Sequence, residues 1–379
     1  MVVYRAVSAF FIASVASYVL GQGVPASKRP STPAPQEVPL TEVATTPVGG
    51  LPAEGIEARF SCDPDGRIFL RLAMPDTGIE DPVSISRDGK TLVRFGREKI
   101  YDVPQPSLTS VFLIGSDVYI LGLGRTPLGY DRKWRTPSGE IESHTASKLS
   151  TFVAHFDKDG KYAGSVRLDL PFNAQQMGVF ANGDFLISGM QGMSQARVAI
   201  VGSNGQLRRY LELNGDVHVK EESAASEKDP GAFPAFGISG GSTDSSPRET
   251  LFDVVSTSRI VQDGQNLLLF RATAGPIYSI SPSGDVHVHK LEVEGGYKLF
   301  TIKPTRNAWI VEFIRDLPNG GGQEFATFTF DPDSGKPLRE YFFPRDLGWG
   351  LACVDGDEFT FVTANEKTKS IDLVKLAPK

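Results

Sequence analysis

The sequence predicts an all-β fold, a six-bladed β-propeller of four-stranded antiparallel blades, on three observations. Six apolar runs each follow a tight-turn signal, a second series of strand-turn-strand segments lies between them, and nothing beyond residue 55 has the period of an ordinary amphipathic helix. The expected organisation is a signal peptide at 1–21, a Pro-rich linker at 22–55 and the propeller at 56–379.

Taken in order, the chain begins with Arg5 and then an uncharged apolar run from Ala6 to about Gly21. A run of this length reads as a secretory signal with a small-residue cleavage site before Gln22. A retained membrane anchor is the alternative. The predicted location is accordingly secreted or periplasmic, with membrane contact only through an uncleaved N-terminus. Next comes "VPASKRPSTPAPQEVPLTEVATTPVGGLPAEG", in which Pro recurs among Ser, Thr and Ala. So little apolar surface cannot offset the entropy of ordering, and the segment reads as a tether.

The six apolar runs are "RIFLRLAM", "DVYILGLG", "DFLISGM", "NLLLFRAT", "AWIVEFIR" and "EFTFVTA", starting at Arg67, Asp117, Asp184, Asn266, Ala308 and Glu358. Turns such as "DPDG", "ANGD" and "VDGD" precede them, built from residues that tolerate left-handed backbone. A short strand stands before each turn: "ARFSC", "SVFLI", "QMGVF", "SRIV", "KLFTI" and "GLAC". The second series is "VSISRDGKTLVRF", "FVAHFDKDGKYAGSVRLDL", "VAIVGSNGQLRRYLEL", "YSISPSGDVHVHKLEV" and "FTFDPDSGKPLREYF". Alternating hairpins make four strands per unit, and stacking such units in a ring keeps sheet edges short. The last unit has three strands only, so "VPLTEVA" is the upstream candidate for its fourth.

The stretch "HFDKDGKYAGSVRLDLPFNAQQMGVFANGDFLISGM" resembles a blade of the NHL-repeat six-bladed propellers, with an Asp-x-x-Gly turn, a strand ending in Leu-Pro and a Gly-Asp hairpin. The resemblance is at superfamily level and covers most of the chain, but its motifs specify turns and packing rather than chemistry. It implies a group that includes scaffolds, ligand binders, lactonases and sugar dehydrogenases, and fold alone does not choose among them.

Antiparallel alternation would bring the long connections to one face: residues 124–149, 214–257 and "RDLPNGGGQE". The first, an irregular loop on this reading, combines Arg125, Tyr130, Arg132, Trp134 and Arg135, types favoured at binding hot spots, with Glu142 and with His144, the one histidine read as a candidate acid or base. Gln176 and Trp349, near the tops of innermost strands, and Arg315 complete the predicted site. The function read from this pattern is an exported, non-catalytic propeller, monomeric, binding a protein or carbohydrate-like partner through its long-loop face. The alternative is a lactonase-type hydrolase or a sugar dehydrogenase with a metal or quinone in the central channel. No cofactor is predicted under the first reading; calcium belongs to the second.

Other motifs weigh less. A net charge of −6 and a pI near 5.5 give no global attraction for polyanions, which argues against nucleic acid. "GISGG" around Ser239 matches the nucleophile-elbow pattern without the strand and helix it requires. Asp285, His287 and His289 alternate on an outer strand, where solvated polar residues are ordinary, and His218 echoes them; His155 reads as a packed residue. The "DPDG", "DKDG" and "DPDSG" segments read as turns, since none continues as a calcium loop. Cys62 and Cys353 both end an innermost strand, in the first and last blades, and are either a ring-closing disulfide or two reduced thiols.

Overall fold

Strands fill the chain from residue 36 onward. The structure is a computed structural model that describes residues 34–379 apart from 53–59, 75–78, 136–139, 193–194, 215–250, 272–274, 292, 294–295, 318–322, 345–346, 348–349 and 366. The predicted signal peptide therefore lies outside the described residues. Among those described, no helix is long and apolar enough to cross a membrane.

The first strand, β1 (Gln36–Pro52), precedes the sheets. β2 (Ser61–Cys62), β3 (Ile68–Met74), β4 (Ile79–Ile85) and β5 (Leu92–Arg94) form one sheet. β6 (Ser107–Ile114), β7 (Asp117–Arg135), β8 (Ile141–Phe156) and β9 (Tyr162–Leu168) form the next. β10 (Asn173–Val179), β11 (Phe185–Gln191), β12 (Gln195–Val201) and β13 (Leu207–Leu211) make a third. After helix α1 (Leu251–Thr257), β14 (Arg259–Asp263), β15 (Asn266–Phe270), β16 (Ile277–Ile280) and β17 (Val286–His289) make a fourth. The remaining strands are β18 (Lys298–Pro304), β19 (Trp309–Asp316), β20 (Gln323–Phe330), β21 (Pro337–Phe342), β22 (Leu351–Asp355), β23 (Glu358–Asn365) and β24 (Ser370–Pro378). They join with β1 in one eight-stranded sheet of order β18-β19-β20-β21-β1-β24-β23-β22.

The arrangement is propeller-like: innermost strands β6, β10, β14 and β18 neighbour one another in succession, and β22 neighbours β2. The cores tell the same story. Phe69 packs with Val118, Ile120 and Phe152 of the second sheet, and a larger cluster joins Leu121 and Val153 to Leu186 and Ile200 and on to Leu267 and Tyr278. Leu268 and Phe270 pack on Trp309 and Val311, Ile310 on Leu351 and Phe359, and Ala352 and Val362 return to Ile68 and Leu70. Each sheet is covered on both faces, so a middle strand must be apolar on both. Six of the seven residues of β11 are accordingly buried, while the outer strands expose three of five residues in β13 and two of four in β17.

The structure corrects the expectation of six separate four-stranded sheets: four stand alone, and the rest are fused through β1. Residues 36–52, assigned from sequence to the linker, are the fusing strand. Gln36 to Pro39 pair parallel with β21, and Leu40 to Pro52 pair antiparallel with β24. The upstream segment proposed to complete the last unit does so. Pro is tolerated here because each half of β1 pairs on one side only, which leaves alternate N–H positions outside the ladder.

The Asp-x-x-Gly segments are turns, as expected. Asp157 accepts backbone N–H bonds from Asp159 and Lys161 at 3.0 and 2.9 Å, and Asp331 accepts from Asp333 and Ser334, both at 2.9 Å. A carboxylate occupied in this way is a turn-former. Gly160 shows the positive φ such turns need (74°), and in the related Gly-Ser-Asn-Gly turn a Cβ at Gly205 (φ 83°) would fall 2.0 Å from the Arg167 carbonyl oxygen.

Candidate functional site: a β-ribbon arm and a central channel

Residues 125–149 are not the irregular loop predicted. β6 pairs with β7 only as far as Leu123, and β9 pairs with β8 only from Thr151. Beyond that point β7 and β8 pair with each other alone, out to Arg135 opposite Ile141. The result is a two-stranded ribbon roughly 30 Å long at about 3.3 Å per residue. One irregularity, between Pro127 and Asp131, absorbs Gly129 at a φ of 76°.

The register brings the predicted residues together. Arg132 stands opposite His144 and Trp134 opposite Glu142. With the two-residue period of a strand, positions 132, 134, 142 and 144 fall on one face of the ribbon. Arg125 opposes Leu149 on the other face and is exposed. Leu128, Tyr130, Ile141 and Leu149 are 45 to 65% exposed, an unusual concentration of apolar side chains on a surface element. A cavity of about 420 Å³ lies at the foot of the ribbon, lined among others by Leu149, Thr151, Arg167, Asp169, Phe172 and Met190.

The other predicted residues are differently placed. Gln176 is buried and committed internally: Ser110 Oγ donates to its Oε1 at 3.2 Å, and its Nε2 donates to the Ser256 carbonyl at 2.6 Å. It thereby ties α1, which the sequence did not reveal, to the innermost strands. The fully buried Arg271 adds bonds to Ser188 and Ser258 Oγ at 3.1 and 2.7 Å. Arg315 is the last residue but one of β19. Its Nε donates to Glu324 Oε2 at 3.1 Å and its guanidinium lies 4.6 Å from the Tyr297 ring centre. Trp349, Ser239 and His218 lie outside the described residues.

Two histidines elsewhere have local partners. His155 bonds Asp117 at 3.1 Å and stacks on Tyr119, and His289 Nδ1 is 2.8 Å from the Pro332 carbonyl oxygen with its ring edge-on to Trp309. Among the described residues no group of three or more His, Cys, Asp and Glu is placed to hold a metal ion.

The central channel opens a second region, of about 560 Å³, toward the end that bears the short turns. Its wall carries Arg71, Arg259 and Lys303 together with Ser110, Gln176 and Thr301. Asp63, also on the wall, is held by Arg67, whose Nε donates at 2.6 Å. Burial pushes the Lys303 ammonium below its usual range, while Cys62, Cys353 and Glu312 pull the other way. Burial pushes Glu312, on the neighbouring strand, up to about 7 against the opposite influence of Lys303 and Arg259. Cys62 and Cys353 are unbonded thiols in contact. The sequence signalled the cysteines but not the channel cations, because which face of an inner strand turns inward depends on the register of the whole ring.

No known family model matches the chain, and no curated protein matches it in sequence. Among solved structures, a DUF4221 family member from Bacteroides vulgatus is 10% identical, with 91% of this chain and 99% of that one covered and a TM-score of 0.47. A protein of unknown function from Dyadobacter fermentans is 14% identical over 90% and 99%, with a TM-score of 0.46. Virginiamycin B lyase from Staphylococcus aureus is 10% identical over 89% and 99%, with a TM-score of 0.40. These scores lie below 0.5, and the fold description stands on strand order and packing.

Proposed function

We propose that this chain is an exported six-bladed propeller that binds an acidic partner, a protein or glycan, through one face of the β-ribbon. The six-blade count treats the eight-stranded sheet as two blades sharing β1. The observation that carries the binding reading is the ribbon's register, which gathers Arg132, Trp134, Glu142 and His144 on one face. Along residues 125–149, Arg125, Arg132, Lys133, Arg135 and Lys148 outweigh Asp131, Glu140 and Glu142, a local cationic excess in an acidic protein. A two-stranded ribbon beyond the support of its sheet is marginal by itself. Exposed apolar side chains, Ile141 and Leu149 on the ribbon's other face among them, therefore suit an element that completes its packing on a partner.

The test is to probe arrays of acidic glycans and acidic peptides with the full chain and with an Arg132→Ala, Trp134→Ala double variant. The expected result is selective binding that weakens by roughly 30-fold or more, the scale of a hot-spot loss, at unchanged melting temperature. A folded variant that binds as tightly as the parent would remove the ribbon face from the account.

A further inference from the structure

We propose that Cys62 and Cys353 form a redox-active dithiol on the channel wall, Cys62 attacking and Cys353 resolving, whose substrates are anionic low-molecular-weight disulfides. The two residues come from innermost strands β2 and β22, which the ring brings side by side although the chain separates them by almost its whole folded length. They are not equivalent. Both line a cavity of about 250 Å³ between the first and last sheets, but only Cys62 also lines the channel, and Cys62 is partly exposed where Cys353 is buried. An attacking thiol needs access, and a resolving thiol needs only to reach its partner.

The Cys62 sulfur sits in a cradle suited to negative charge. The Cys353 side chain packs beside it, and Lys303 and Val354 line the same stretch of channel wall. Lys303 is itself held in place, its Nζ donating to the Phe60 carbonyl oxygen at 2.5 Å. Together these hold the Cys62 thiol below its usual range despite burial, which acts in the other direction, and despite the nearby Asp63. Cys353 is pushed well up, by Cys62 beside it and by burial. Glu312 and Arg259 are the other charged groups around Lys303. A pair kept only for packing requires neither a cation nor an opening. The substrate class follows from the wall, where Arg71, Arg259 and Lys303 favour a carboxylate-bearing molecule of a size the channel admits.

In the first step the Cys62 thiolate attacks one sulfur of the substrate disulfide, forming a mixed disulfide and releasing a thiolate that takes up a proton. Cys353 then gives up its proton and attacks the Cys62 sulfur, releasing the second substrate thiolate, which is protonated in turn. Two protein thiols are oxidised to one disulfide, and one substrate disulfide is reduced to two thiols. The new bond joins the first sheet to the last.

The experiment follows reduced full-length protein reacting with 5,5′-dithiobis(2-nitrobenzoate), a small dianionic disulfide, by absorbance and mass spectrometry. The expected result is release of two chromophore equivalents per protein, a product lighter by two hydrogens, and a peptide linking Cys62 to Cys353. A neutral probe, 2-hydroxyethyl disulfide, should react more slowly relative to its rate with a free cysteine peptide. Cys353→Ser should stop at the mixed disulfide, Cys62→Ser should lose the fast phase, and Lys303→Met should slow that phase on the order of tenfold. One equivalent with a persistent adduct on the parent protein would overturn the proposal, as would a first phase no faster than that of a free cysteine peptide. The stoichiometry and the linked peptide come from the parent protein alone, so a variant that fails to fold does not blunt the test. Binding at the ribbon is measured separately and is unaffected by either outcome.

Discussion

β1 and the β7–β8 ribbon look alike in sequence and do opposite things. The sequence reads the ribbon, and β1 outside "VPLTEVA", as irregular chain; both contain Pro and Gly, and both are strands. β1 buries Val38, Leu40, Val48 and Leu51 and unites β21 with β24, whereas the ribbon leaves Leu128, Tyr130, Ile141 and Leu149 largely in solvent. The difference separates two uses of the same local structure. A strand enclosed between others fixes the fold, and a strand pair that outruns its neighbours presents a surface.

That contrast can be broken most forcefully at β1. Deleting residues 36–52 exposes the apolar surfaces beneath it and leaves β21 and β24 unlinked. The expected result is loss of the cooperative thermal transition, and a variant melting like the parent would show that β1 is dispensable. A gentler form is Leu40→Ala, which should cost about 2–5 kcal/mol in chemical denaturation, the range for a buried leucine. At the other pole, Tyr130→Ala on the ribbon should change stability by no more than ~0.5 kcal/mol. A large effect there would mean that the ribbon packs as part of the core.

Between these extremes lies Glu312. Its carboxyl titrates at about 7 in the folded protein against an ordinary value of 4.5. Between those values the folded state holds a proton that the unfolded state has lost, so this group makes stability fall as pH rises. Replacing it by Gln should flatten the melting-temperature profile from about pH 4.5 to 7, and an unchanged slope would place the titration elsewhere.

The hairpins were legible because their signals are local. The predicted runs at Asp117, Asn266 and Glu358 coincide with the starts of β7, β15 and β23, and those at Arg67, Asp184 and Ala308 fall one residue early. The role of β1 was legible only in part, since Pro39, Pro47 and Pro52 argue against a strand until one knows that each half pairs on one side. In the ribbon, Pro127 and Gly129 mask the alternation of "DRKWR" and "IESH"; Pro127 borders the single irregularity, Gly129 lies within it, and the regular pairing resumes at Asp131. The site was legible as a set of residue types, and its pairings required the register. The environment of Cys62 was not, because Lys303 and Cys353 reach it only through closure of the ring.

The claim that the ribbon binds while the sheets merely carry it is tested most directly by removing the ribbon whole. Joining Gly124 to Ser150, which already face each other across β7 and β8, through an Asn-Gly turn restores an ordinary hairpin. The account predicts a protein that melts within a few degrees of the parent and no longer binds the acidic ligand. Retained binding, or a protein that no longer folds, would contradict it.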